Sequence, residues 1–66
     1  MTTLGDDYPL EQARCRELLG FYKEIGASGV FGARMIEAVL KRADKAAADQ
    51  DVAAMVRVYA EMKECE

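Results

Sequence analysis

The chain has 66 residues, with 12 acidic against 9 basic side chains, a net charge of −3, two cysteines, and no histidine or tryptophan. A chain this short makes one domain with a small core, which buries about 60% of its unfolded surface and supplies about 3–5 kcal/mol, so association with copies of itself is expected. The charge balance argues against a non-specific nucleic-acid binder, and the lack of histidine excludes a histidine-based triad.

Residues 1–7 have no apolar periodicity and are expected to form a flexible N-terminal arm ahead of a single helical domain over 8–66. Tyr8-Pro9-Leu10-Glu11 reads as a helix start, with proline in the first turn and Asp7 and Glu11 near the positive end of the dipole. The helix is expected over about 9–25, burying Cys15, Leu18, Leu19, Tyr22 and Ile25, which share one face at spacings of three and four. Gly26 then provides a left-handed stop.

The stretch from Gly26 to Arg34 contains three glycines, with Ser28 placed to cap the next helix. An exposed helix N-terminus presents unpaired N–H groups and a positive dipole. Gly29 and Gly32 remove side chains that would block approach, and Arg34 offers a planar bidentate donor. An anion would fit there. The more ordinary reading is that the glycines let this helix end pack tightly against its neighbours.

A second helix is expected over about 30–48, with Phe31, Met35, Ile36, Val39, Leu40, Ala43 and Ala46 as its apolar face. Its alanine-rich second half favours close approach of another helix. Asp49-Gln50-Asp51 breaks it, and Asp51 or Asp49 caps a third helix over 51–64 whose buried stripe is Val52, Met55, Val56, Tyr59 and Met62. No apolar run approaches the ~20 residues that span a bilayer, so the chain is expected to be soluble and cytoplasmic.

Short links make sequential helices neighbours, so the expected fold is an all-α, three-helix up-down-up bundle that forms a homo-oligomer. That topology is expected to gather Tyr22, Lys23, the Gly26–Arg34 turn, Tyr59 and Lys63 at one end. Phe31, Val30, Leu4, Leu10 and Val58 are candidates for surplus apolar surface. Cys15 falls on the core stripe and Cys65 is expected at the other end of the bundle, unpaired. With isolated cysteines, no metal set and Asp49 and Asp51 serving as caps, an enzyme is not expected, nor a metal or cofactor.

The stretch from Ala46 to Tyr59 resembles the turn of a tetratricopeptide-type hairpin, with Gln50 where glycine is usual and no second repeat to stack upon. More broadly, Tyr8-Pro9-Leu10-Glu11-Gln12-Ala13-Arg14, Phe31-Gly32-Ala33-Arg34-Met35-Ile36-Glu37, and Met55 with Tyr59 to Lys63 resemble small helical accessory proteins of tailed phages and prophages. That resemblance implies a phage accessory role, in a group that includes anti-defence proteins acting on host proteins or sequestering nucleotide immune signals.

Two functions are therefore expected. The first is capture of a phosphorylated small molecule, such as a cyclic nucleotide, by Ser28, Gly29, Phe31, Gly32 and Arg34 with Lys23 and Tyr59. The second is a protein-interaction module that docks a host or phage protein through the Val30, Phe31 and Met35 surface.

Overall fold

A computed structural model describes residues 3–66 and contains three helices, α1 (Leu4–Ile25), α2 (Val30–Ala48) and α3 (Val52–Glu64), with a short 3-10 turn at Ala27–Gly29. The all-helical up-down-up bundle expected from the sequence is the fold observed. Tyr8 and Lys23 of α1 meet Ala43 and Glu37 of α2, so these two run antiparallel, and Arg42 of α2 meets Glu61 of α3.

The N-terminal boundary differs from expectation. Helix α1 begins at Leu4, so residues 4–7 of the expected arm are its first turn; Met1 and Thr2 lie outside the described residues. Thr3 explains the earlier start, because its side-chain oxygen accepts from the Asp6 N–H at 3.3 Å while its hydroxyl donates to the Asp6 carboxylate at 3.1 Å. Pro9 consequently lies inside the helix, where it cannot donate to the Gly5 carbonyl. Tertiary contact offsets that loss. Tyr8 is buried and its hydroxyl donates to the Ala43 carbonyl at 2.7 Å, which holds the first turns of α1 against α2.

The core comprises Tyr8, Cys15, Ile36, Val39, Leu40, Ala43, Val58 and Met62, with Leu18, Leu19, Tyr22, Met55 and Tyr59 packed around it. Several stripe residues sit elsewhere than the spacing indicated. Ile25, Met35, Val52 and Val56 are exposed, whereas Val58 is buried and Leu4 packs against the core; Phe31, open between core and surplus surface on the sequence, is exposed. Val30 and Leu10 are exposed as expected.

The link between α2 and α3 is a Schellman turn. The Gln50 N–H donates to Ala47 O and the Asp51 N–H to Ala46 O, which requires Gln50 to adopt φ +53°. Asp51 caps α3 through the Ala54 N–H at 3.2 Å, as expected. Glycine enters the left-handed region without the steric penalty of a Cβ. Gln50→Gly is therefore expected to stabilise the fold by about 0.5–1 kcal/mol, read as a rise of the urea midpoint at unchanged slope.

Length decides the shape. At 1.5 Å per residue the 22 residues of α1 span about 33 Å and the 13 of α3 about 20 Å. Helix α3 starts beside the beginning of α1, with the Tyr59 hydroxyl donating to Asp7, and it ends at Cys65, whose backbone turns extended. Arg14 fixes that end: its guanidinium donates to Met62 O at 2.6 Å and Cys65 O at 2.9 Å while its Nε bonds Glu11, placing a cation on the negative end of the dipole. The last turns of α1 and the first turns of α2 extend past α3.

Candidate functional site

The Gly26–Arg34 turn is built more tightly than an open anion cradle. Gly26 lies at φ 85°, ψ −139°, a region open to glycine alone. From there the chain passes through the 3-10 turn directly into α2. Ser28, expected as the N-cap, lies within that turn; Gly29 occupies the cap position, and no side chain bonds the first N–H groups of α2. The Gly29 and Val30 N–H groups are already taken by Gly26 O and Ala27 O.

Both glycines that the anion reading left open face Tyr22. A Cβ on Gly29 would lie 2.1 Å from the Tyr22 carbonyl oxygen, and one on Gly32 would lie 2.8 Å from the Tyr22 ring. Their absent side chains let α1 and α2 approach each other. Gly29 is buried, and the Tyr22 hydroxyl donates onward to the Glu66 carbonyl.

Arg34 and Lys23 line a shallow cavity of about 310 Å³ with Tyr22, Val30 and Glu37. Lys23 pairs with Glu37 at 3.1 Å, and Arg34 makes no ion pair or hydrogen bond among the described residues. Tyr59 and Lys63 are not at this end, contrary to expectation. They stack on each other, ammonium to ring centroid 5.2 Å, beside Asp7 and Leu10. Asp7 precedes Tyr22 by 15 residues, or about 22 Å of helix. The register responsible is that of α3, which begins level with the first turns of α1. Of the expected residues, the structure thus gathers Lys23, Gly29, Gly32 and Arg34 around Tyr22, leaves Ser28 and Phe31 exposed nearby, and separates Tyr59.

The larger concavity lies where α3 stops. It measures about 500 Å³ and runs between α2 and the end of α3, with Tyr22, Gly32 and Met35 at one end and the Arg42–Glu61 pair (2.9 Å) on its edge. Beside it, Phe21 and Ile25 lie one turn apart on α1, and Phe31 and Met35 one turn apart on α2. All four are exposed. At 100° per residue, Phe21 and Ile25 share the side of α1 on which Arg14 reaches α3, and Phe31 and Met35 share the side of α2 on which Arg42 reaches α3. The four therefore continue the faces that α3 covers further along.

No protein family, curated protein or solved structure matches this chain. The functional reading accordingly rests on the geometry. Among the described residues, no group of three or more His, Cys, Asp or Glu side chains converges as a metal site.

The cysteines also differ from expectation, since the end of α3 brings Cys65 to Cys15. The Cys15 thiol and the Cys65 N–H share the Met62 carbonyl, at 3.6 and 3.1 Å. Cys15 is fully buried. Its pKa is pushed up to about 11, first by burial and then by Cys65. Two outcomes follow from a folded pKa above the ordinary value of 9.0. The buried thiol should resist alkylation at pH 8, so mass spectrometry should find native protein labelled at Cys65 and unfolded protein labelled at both. In the second, the folded state holds the Cys15 proton more tightly than the unfolded state, and the stability this gives is complete below pH 9. It should be lost as pH rises towards 11, a decline in denaturation midpoint that Cys15→Ala removes.

Proposed function

We propose that the chain is a non-enzymatic helical interaction module whose working surface is the apolar face of Phe21, Ile25, Phe31 and Met35. The observation that carries this reading is Phe31, 77% exposed at the start of α2, with exposed Met35 one turn on and exposed Phe21 and Ile25 on the side of α1 that α3 covers further along. Such a face on so small a domain is costly to leave in water, and two adjacent helices bearing side chains one turn apart offer a surface suited to a partner helix. Capture of a phosphorylated small molecule has less behind it. Tyr22 occupies the space at Gly29 and Gly32, leaving Arg34 and Lys23 as the cationic groups.

Photo-crosslinking separates the two readings. With p-benzoylphenylalanine replacing Phe31 in the full chain, irradiation of expressing cells should give a discrete higher-mass protein adduct, and the same group replacing Val52 should give none. In parallel, linear and cyclic nucleotides, phosphate and sulfate should leave the thermal midpoint unchanged. A selective rise lost in Arg34→Ala, without any adduct from Phe31, would replace the interaction reading by ligand capture.

A further inference from the structure

We propose that a second copy of this chain covers the apolar face, in a twofold dimer that sets Arg34 of each copy against the partner's Glu64 and the partner's Glu66. This inference rests on the interaction reading and names its partner.

Area supplies the first argument. Phe21, Ile25, Phe31 and Met35 are 56%, 59%, 77% and 56% exposed. For side chains that offer on the order of 150–250 Å² each, that is roughly 370–620 Å² of apolar surface per copy. Two such faces together remove on the order of 700–1,200 Å² from water. Standard specific interfaces begin at about 1,200 Å², and the polar surface around these faces adds to the apolar area. One copy thus brings an apolar area equal to the area it covers.

Charge supplies the second. Arg34 stands three residues beyond Phe31, at one border of the apolar stripe, and is unpaired among the described residues. At the other border, where α3 ends, Glu64 and Glu66 line the 500 Å³ groove, and their carboxylates are likewise unpaired among the described residues. The face therefore has a positive border and a negative border with apolar surface between them. A twofold axis through such a face lays each positive border on the opposing negative one, so the contact is made twice and closes on itself. A second copy supplies both complements at once.

Sedimentation velocity on the full chain is the test, with far-UV circular dichroism as the fold control. The chain should sediment as a species of twice its 7.3 kDa mass that dissociates on dilution. Phe31→Asp and, separately, Phe21→Asp should sediment as monomers with unchanged helical signal. Arg34→Glu should weaken the dimer by roughly tenfold or more, since it sets like charges together, and adding Glu64→Arg and Glu66→Arg to the same chain should restore it. A wild-type chain that stays monomeric at its highest soluble concentration overturns the proposal, as does a dimer indifferent to both aspartate variants. A monomeric chain that still gives a Phe31 adduct of another mass overturns self-association and keeps the interaction reading. A monomeric chain with no adduct removes both.

Discussion

Gly29→Ala is expected to remove most of the protein's stability. The added methyl would lie 2.1 Å from the Tyr22 carbonyl oxygen, a backbone atom that can move only if α1 and α2 separate. Overpacking costs about 1–3 kcal/mol where side chains can adjust and more where they cannot. A chain this size holds about 3–5 kcal/mol from its core, so a loss of about 3 kcal/mol removes most of it. In circular dichroism the melting midpoint should fall by at least roughly 12 °C, at about 4–8 °C per kcal/mol. Gly20→Ala provides the control, because a Cβ there meets nothing within 4 Å and the residue lies inside α1. It should raise stability by about 0.5–1 kcal/mol. If the two alanines behave alike, the close approach at Gly29 has been misjudged.

Met62→Ala should cost about 2–5 kcal/mol, the range for deleting a buried methionine side chain. Met62 is fully buried and its carbonyl receives both the Arg14 guanidinium and the Cys15 thiol, so it marks the point where α3 is held to α1. At 13 residues α3 is near the length below which isolated helices are marginal in water, and it depends on this docking. Amide exchange should accordingly speed up across α3 before it does in α2, and the urea midpoint should fall markedly. Equal acceleration in all three helices would mean that α3 does not detach as a unit.

The fold was legible because its determinants are local. Apolar spacing of three and four marks a helix face, Gly26 and the Asp49–Asp51 stretch interrupt it, and short links leave sequential helices little choice of neighbour. The start of α1 was less legible, because the Thr3 cap precedes a proline that reads as first-turn and the contact that holds Tyr8 is made by Ala43, 35 residues away.

The candidate site was legible only in part. Phe31, Gly29, Gly32 and Arg34 stood out for their residue types. Their surroundings did not, since periodicity gives the side of a helix on which a residue lies and not whether another helix reaches that level. That is why Met35 and Ile25 read as core yet are exposed, and why Phe31 could be placed either way. Phe21 was not singled out, although it stands three residues after Leu18 and four before Ile25, at the edge of the apolar stripe of its helix.

By itself the sequence determined three helices, their order, their turns and the Asp51 cap, all set by interactions within a few residues along the chain. The tertiary structure alone decided the register of α3 against α1. That register carries Tyr59 to Asp7 and Cys65 to Cys15 and leaves the far end of the α1–α2 hairpin uncovered. The physical reason is that this register is fixed by contacts between residues 48 and 52 positions apart, Arg14 with Met62 and Asp7 with Tyr59, which no local pattern encodes.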